Sequence, residues 1–183
     1  VTKYNDYDPS GRFVVKSYTH PASAVNTFTY DIWGNLLTES DVTDPSNPLT
    51  AKHTYDGWGR KLSLLASDGT LTAYETGWGT ADAKKYYVKE ATIGKPAVTT
   101  WYDKGGHEVL RESIGARGVP ITKTTDYNRR GEVSRISNKT GLLVITQTLT
   151  YDERGRVVSD ESSSGRFTSY TYGNSTVTST TAG

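Results

Sequence analysis

A short motif recurs along this chain at a nearly constant interval, and this periodicity constrains the fold more than any other feature. The motif is tyrosine, aspartate, two variable residues, glycine and a polar residue, followed by apolar residues, and one copy has Asn128 in place of the aspartate. The tyrosines are separated by 23, 25, 47, 25 and 24 residues, so the long interval has room for one degenerate copy. A period of roughly 20–50 residues is typical of repeat architectures. The six copies occupy residues 7–12, 30–35, 55–60, 102–107, 127–132 and 151–156.

The motif itself predicts a tight turn between two strands. Aspartate at the first turn position and glycine at the fourth are preferred in type I turns, and the carboxylate can accept hydrogen bonds from nearby amides. Glycine takes a positive φ without steric cost, which a turn followed by a β-bulge requires. We therefore predict a structural role for the repeated residues. They are Tyr7, Asp8, Gly11, Tyr30, Asp31, Gly34, Tyr55, Asp56, Gly59, Tyr102, Asp103, Gly106, Tyr127, Asn128, Gly131, Tyr151, Asp152 and Gly155.

The residues between these turns predict an all-β chain. The sequence has 13 Tyr and 4 Trp together with many Thr and Val, and these residues fit a half-buried pleated surface. A second turn falls within each unit, for example at residues 67–70 and 162–165, so each unit contains two strands and two turns. Because one hairpin cannot bury its apolar face alone, neighbouring units must pair. We expect tandem β-hairpins in one continuous antiparallel sheet.

The domain organisation follows from the period. We expect residues 1–183 to form a single array of about 7–8 units of about 24 residues each. A degenerate unit spans about residues 74–97, with an imperfect copy of the motif at 74–79, and an eroded unit begins at Tyr172. Tyr86 and Tyr87 mark the place where we expect an irregular loop. The terminal units lack obvious caps, which predicts a fragment of a longer chain.

Composition argues against several classes of function. The 183 residues carry 21 Lys and Arg against 20 Asp and Glu, a net charge of +1, so no nucleic-acid partner is expected. The absence of Cys excludes a disulfide scaffold, a thiol nucleophile and a thiolate metal site. No apolar run approaches the roughly 20 residues that a membrane helix needs, so we expect no membrane insertion.

The sequence also lacks patterns typical of catalytic or cofactor sites. The histidines, His20, His53 and His107, lie far apart and have no metal-ligand spacing. The aspartates recur at turns, whereas the paired acids of a glycosidase need a unique cleft. We therefore expect no enzymatic activity, no catalytic residue, no metal and no cofactor.

Two tryptophans are candidates for a ligand platform. Trp33 and Trp58 both occupy the variable position just before the turn glycine, where side chains face solvent. A flat aromatic ring favours the apolar face of a sugar, so a glycan is a second kind of partner to consider. In the other interpretation each ring covers its own turn and shields the hydrogen bonds of the sheet.

The unit Tyr-Asp-x-x-Gly-Arg, complete at residues 7–12, 55–60 and 151–156, resembles the YD repeat of the Rhs family. This family includes bacterial Rhs and wall-associated polymorphic toxins, Tc insecticidal toxin components and animal teneurins. The resemblance extends from about Tyr7 to Tyr172 and implies a sheet that spirals into a hollow β-shell. In bacterial members the shell is similar to a container for a C-terminal toxin, and in teneurins it serves adhesion. An extracellular or bacterial cell-surface location is also implied.

One sequence signature of the bacterial shells also occurs in this chain, but at a different place in the repeat array. Their core segment carries Asp-Pro-x-Gly and an aspartate that cleaves the chain, and the letters recur here at residues 8–11. Because these residues lie within the first repeat, we interpret them as a repeat turn and transfer no self-cleavage role.

The resulting hypothesis is a non-catalytic wall segment of a secreted or cell-surface Rhs-like protein. Its partners would be the other repeats of the parent chain or an encapsulated C-terminal toxin. The alternative is a carbohydrate-binding or cell-surface adhesion module that uses exposed Trp and Tyr side chains.

Overall fold

The computed structural model describes residues 3–7, 15–19, 25–173 and 176–182, with side chains from residue 25 onward. Asp8 and Gly11 of the first predicted turn lie outside these residues, and Tyr7 is described only as strand backbone. No helix in these ranges has the length and apolar character that crossing a membrane requires.

The described residues form sixteen strands and one short 3-10 helix, which lies at Ala116–Gly118. The strands are β1 Lys3–Tyr7, β2 Val15–Thr19, β3 Val25–Tyr30, β4 Leu36–Asp41, β5 Leu49–Tyr55, β6 Lys61–Leu65, β7 Leu71–Ala81, β8 Lys84–Thr92, β9 Val98–Tyr102, β10 Glu108–Ile114, β11 Pro120–Tyr127, β12 Val133–Thr140, β13 Leu143–Tyr151, β14 Val157–Ser162, β15 Phe167–Tyr172 and β16 Val177–Ala182.

The strands follow one another in the sheet in the same order as in the chain. Hydrogen bonds join each strand to the next from β1 to β16. The pairs from β1 to β7 are antiparallel, and so are the pairs from β9 to β16. The prediction of an all-β chain of tandem hairpins is therefore confirmed.

The chain divides into two compact units. Unit 1 comprises Val1–Glu75 and Glu90–Lys95, and unit 2 comprises Thr76–Lys89 and Pro96–Gly183. Among the described residues, Thr72 is the buried side chain of unit 1, whereas Leu110, Thr125 and Thr168 are buried in unit 2. Such a small buried set means that contacts between neighbouring strands contribute most of the packing.

A β-bulge accompanies the repeated tyrosine. The register between β3 and β4 shifts between Thr29 and Tyr30, and the register between β13 and β14 shifts between Thr150 and Tyr151. A bulge of this kind adds one residue on one strand and increases the local twist. It also places the tyrosine directly before the turn that closes the hairpin.

The degenerate unit differs locally from the expectation. Residues 74–79 lie within β7 rather than in a turn, and Tyr86 and Tyr87 lie within β8 rather than in an irregular loop, so both local expectations were wrong. The glycines of this segment permit close contacts. A Cβ on Gly77 would lie 2.4 Å from Cε1 of Tyr87, and one on Gly79 would lie 2.0 Å from the carbonyl oxygen of Lys84.

Candidate functional site

The repeated turn has one backbone geometry in its five described copies. The amide of the first residue donates to the carbonyl of the fifth at 2.8–3.0 Å, and the amide of the fourth donates to the carbonyl of the first at 3.0–3.1 Å. The glycine at the fourth position has φ between 77° and 89°, a region in which other residues are strained. The copies are residues 31–35, 56–60, 103–107, 128–132 and 152–156.

The side chain of the first turn residue stabilises the turn by accepting hydrogen bonds from its backbone. In each copy its Oδ1 accepts the amide of the third residue at 2.7–2.9 Å. The same oxygen accepts the amide of the fifth residue at 2.8–3.1 Å. Both amides would otherwise lack a partner in the turn, so the oxygen satisfies two backbone donors.

The other carboxylate oxygen binds the side chain of the fifth residue. Oδ2 of Asp152 accepts from Nε of Arg156 at 2.7 Å, and Oδ2 of Asp31 accepts from Nδ2 of Asn35 at 2.8 Å. Corresponding contacts join Asp56 to Arg60 and Asp103 to His107. The fifth position is therefore part of the turn.

These hydrogen bonds determine the charge state of the turn. They hold the pKa of each of the four aspartates below its ordinary value. The strongest cause is the Asn35 side chain at Asp31. At Asp56, Asp103 and Asp152 the strongest cause is the backbone amide of the fifth residue. All four are ionised near neutral pH, where a carboxylate is a hydrogen-bond acceptor and not a proton donor.

In one copy the side-chain hydrogen bond between the first and fifth turn residues has its donor and acceptor exchanged. Asn128 replaces the aspartate, and its Nδ2 donates to Oε2 of Glu132 at 2.6 Å. Arg130 from the same turn binds Oε2 of Glu132 and donates to the carbonyls of Asp152 and Glu153 in the following copy. Arg130 thereby connects two successive turns.

Successive turns also touch through the fifth residue and the next glycine. Oδ1 of Asn35 lies 3.4 Å from the place that a Cβ on Gly59 would take. Oε1 of Glu132 lies 2.9 Å from the corresponding place at Gly155. Glycine at the fourth position is therefore favoured by its positive φ, and in these copies a side chain from the preceding repeat packs against it.

The tyrosines connect each repeat to the preceding one. In unit 2 the hydroxyls of three tyrosines donate to the carbonyl of the residue that follows the preceding turn. Burial raises the pKa of Tyr127 and Tyr151, so both phenols remain protonated donors. The bonds are Tyr127 to Glu108 at 2.9 Å, Tyr151 to Val133 at 2.7 Å and Tyr172 to Val157 at 2.7 Å.

A ring contact accompanies this bond. The guanidinium carbon of Arg156 lies 4.3 Å from the ring centre of Tyr172, and the ring of His107 lies 4.8 Å from the ring of Tyr127. The fifth residue of one turn therefore covers the tyrosine of the next, which is worth about 0.5–1 kcal/mol for an exposed cation on a ring. The remaining repeat tyrosines, Tyr30, Tyr55 and Tyr102, end their strands half-buried, and desolvation raises the pKa of each.

The two candidate platform residues lie together on the surface of unit 1. Trp33 is 80% exposed and Trp58 is 87% exposed, and both line an open cavity of about 380 Å³ with Asn35, Gly57 and Gly59. Each tryptophan donates its backbone amide to the aspartate of its own turn. The backbone is held in place while the ring remains largely in solvent.

The sequence reasoning missed a repeated hydroxyl pair. Thr29 and Thr38, Thr54 and Ser63, and Thr150 and Ser159 each join their hydroxyls across two strands at 2.6 Å. The signal is a threonine immediately before the repeat tyrosine, with a second hydroxyl residue nine positions later.

Comparison with known sequences finds no match to a protein-family model and no match to a curated protein. Among solved structures, the chain is similar to one in the Tc holotoxin pore of Photorhabdus luminescens, with a TM-score of 0.68 and 15% identity over 98% of this chain and 10% of that one. A TcdB2–TccC3–TEV structure matches at a TM-score of 0.49 and 15% identity over 91% of this chain and 11% of that one. A TcdB2–TccC3–Cdc42 structure has a TM-score of 0.23 and 13% identity over 88% of this chain and 13% of that one.

The first of these similarities defines the class of fold. The chain has the fold of a segment of a chain in the Tc holotoxin pore, one sheet in which the strands follow one another in chain order. The resemblance to the Rhs family, read from the sequence, is confirmed at the level of the fold. The chain spans about a tenth of the length of the Tc holotoxin chain that it matches.

Proposed function

We propose that this chain is a non-catalytic segment of the wall of a β-shell in a longer, secreted or cell-surface Rhs-like protein. The shell would enclose or deliver a C-terminal toxin. The observation that carries the proposal is the equivalence of the five described turns. A catalytic group needs one distinctive environment, whereas these acids or amides occupy the same environment five times and bind their own backbone. The tyrosine, aspartate and glycine of each repeat would serve the architecture.

The similarity to a Tc holotoxin chain supports the wall role. It extends over 98% of this chain but only 10% of the matched chain, as expected for a segment of a larger wall. The extracellular location and the toxin cargo rest on the family resemblance. Other repeats of the parent chain would pair with the edges of the sheet, because an edge strand presents unpaired amides and carbonyls.

A wall separates two environments, so its two faces should differ in accessibility. Val144 and Ile145 are successive residues of β13 and therefore point to opposite faces of the sheet. Their exposures are similar, 48% and 42%. The chain contains no cysteine, so a single introduced thiol can be labelled without background from this segment.

Thiol labelling of Val144→Cys and Ile145→Cys tests the proposal. The two variants are compared in the 183-residue chain and in the longer polypeptide with any cysteines elsewhere replaced. We expect both thiols to react with a bulky maleimide in the short chain. In the longer polypeptide one of the two should be protected until the protein is unfolded. Equal labelling of both thiols in the folded longer polypeptide would contradict an enclosing wall.

The absence of catalysis is tested separately. Asp31→Asn, Asp56→Asn, Asp103→Asn and Asp152→Asn variants are assayed beside the wild type against a panel of glycoside, ester and peptide substrates. We expect no turnover in any of them and small, similar losses of stability. A hydrolysis that only one of these substitutions abolishes would contradict the structural role.

A second candidate function is binding of a carbohydrate at the Trp33–Trp58 cavity. The observation that favours it is that two rings, each at least 80% exposed, share one cavity with the polar side chain of Asn35. Aromatic faces offer large, rigid contact area to a ligand at low entropic cost. This function would make the segment an adhesion surface and is compatible with a wall.

Titration with a panel of neutral oligosaccharides, followed by tryptophan fluorescence and calorimetry, tests this candidate. We expect binding that Trp33→Ala with Trp58→Ala removes. Trp78→Ala is the matched control, because Trp78 is 74% exposed but lies within a strand, β7, and does not line the cavity. Equal loss in the control, or no binding by the wild type, would remove the candidate and leave the wall role untouched.

A further inference from the structure

His53 occupies a position at which the other repeats have no titrating imidazole. It lies on β5, two residues before Tyr55, and pairs with Leu64 of β6. In the other repeats the equivalent residue is aliphatic, aromatic, an asparagine or a threonine, and none of these changes charge near neutral pH. The equivalent residues are Asn5, Phe28, Thr72, Thr100, Thr125, Leu149 and Tyr170.

The ring of His53 is buried at both nitrogens without a hydrogen-bond partner among the described residues. A neutral imidazole has one donor and one acceptor, whereas the protonated ring has two donors and a charge. Leaving such groups unpaired and out of water is costly, and the cost is larger for the charged form. The ring is therefore tolerated while it is neutral.

Two charged side chains act on His53 from the strands on either side. Lys61 of β6 opposes its protonation, and Glu39 of β4 favours it. Burial is the larger effect, so the pKa of His53 lies below its ordinary value despite Glu39. Tyr30 of β3, Tyr55 of β5 and Tyr74 of β7 have raised pKa values and are neutral at acidic pH.

We propose that His53 is an acid-sensitive switch in unit 1: when its buried imidazole takes up a proton, the pairing of β5 with its neighbours is weakened. The unfolded chain binds this proton more readily than the folded chain. Stability is therefore complete above the unfolded value of about 6.5 and decreases as the pH falls through it towards the folded pKa. The inference does not depend on the wall role. In a wall, it would weaken this segment in an acidic compartment.

Three forms of the 183-residue chain test the proposal by thermal unfolding at about pH 7.5 and about pH 5. They are the wild type, His53→Leu and His107→Arg. Leucine is the residue at the equivalent position 149 of another repeat, and arginine is the residue at positions 60 and 156, which are equivalent to position 107. We expect the wild type and His107→Arg to lose several degrees of Tm on acidification. The Tm of His53→Leu should decrease clearly less than that of the wild type between the two pH values. The turn aspartates have lowered pKa values, so they remain ionised over this range.

Nuclear magnetic resonance of the wild type provides a second readout that needs no variant. The ring C–H signals of His53 should titrate below the ordinary value of about 6.5, and β5 amides should exchange faster at about pH 5. Parallel losses of Tm in all three forms would overturn the proposal. Titration of His53 at or above the ordinary value would also overturn it, even if His53→Leu did not fold.

Discussion

Nδ2 of Asn128 donates a hydrogen bond to Oε2 of Glu132 at 2.6 Å, the reverse of the bond in which Asp152 accepts from Arg156. Donor and acceptor have exchanged places between the first and fifth turn positions. The backbone bonds of the turn are unchanged, because Oδ1 of Asn128 still accepts the amides of Arg130 and Glu132. The copy that departs most from the motif in sequence therefore keeps its geometry. All five described copies have a polar link between these positions, and its direction differs between copies.

A double-mutant cycle on this pair measures the link. Asn128→Asp alone places a second carboxylate beside Glu132, and Glu132→Arg alone leaves Asn128 without its acceptor. We expect each single change to destabilise the chain by about 0.5–1.5 kcal/mol. The double change recreates the Asp–Arg pair of the other copies and should recover most of the loss. Chemical denaturation measures the coupling, and additive losses would show that the two side chains do not interact.

Substitution of the turn glycine should be costly because of its backbone conformation. Gly155 has φ of 77°, a region in which residues with a Cβ are strained. A Cβ there would lie 2.9 Å from Oε1 of Glu132, the end of a flexible side chain that can move aside. We expect Gly155→Ala to destabilise by about 1–3 kcal/mol because of the backbone strain. Gly57→Ala is the control, since nothing lies within 4 Å of its Cβ position and its φ is not positive. Equal unfolding midpoints for the two variants would refute this account of the turn.

The tyrosine hydroxyl should contribute to the joining of repeats. Tyr151→Phe removes the 2.7 Å bond to the carbonyl of Val133 and keeps the ring. We expect a loss of about 0.5–1.5 kcal/mol, since the carbonyl is left unpaired in a half-buried place. Tyr170→Phe is the matched change, because no hydrogen bond of the Tyr170 hydroxyl occurs in the described part of the chain. It should leave the unfolding midpoint nearly unchanged, and a similar loss would point to a general effect of the ring.

The turn aspartates should make stability depend on acid. The pKa of Asp152 is lowered in the fold, mainly by the amide of Arg156. Its contribution is therefore present above the unfolded value of about 3.9 and is lost as the pH falls through the folded pKa. We expect Asp152→Asn to have a lower Tm at neutral pH and a flatter decline below about pH 4.

Asp126→Asn serves as the control for that prediction. Asp126 is exposed, and its carboxylate has no hydrogen bond in the described residues. Its substitution should leave the profile of Tm against pH close to that of the wild type. If Asp152→Asn and the control gave the same profile, the acid dependence would not arise from the turn.

The value of local patterns for prediction is clear from two parts of the chain. At residues 31–35 and 152–156 the spacing of aspartate and glycine indicated turns, and turns lie there. At residues 74–79 a sequence similar to the repeat motif indicated a degenerate copy, yet the segment is a β-strand. In this segment Gly77 and Gly79 of β7 lie against Tyr87 and the backbone of Lys84 of β8, which follow them by ten and five positions.

The roles of Trp33 and Trp58 as a platform remain a prediction. Their spacing of 25 residues is one repeat, and the structure places them on a common cavity. The unpaired nitrogens of His53 had no signal in the sequence beyond the presence of histidine where the other repeats have Asn, Phe, Thr, Leu or Tyr. Burial without a partner depends on how neighbouring strands pack around the ring.

The sequence by itself determined the all-β character and the chemistry of each turn, because the hydrogen bonds concerned join residues no more than four positions apart. Only the tertiary structure decided which parts of neighbouring repeats meet. The bond from Tyr151 to Val133 and the approach of Glu132 to Gly155 join residues 18 and 23 positions apart. Both depend on the register of the strands and on the bulge beside each tyrosine. A shift of one residue in that register would turn the same side chains to the opposite face of the sheet.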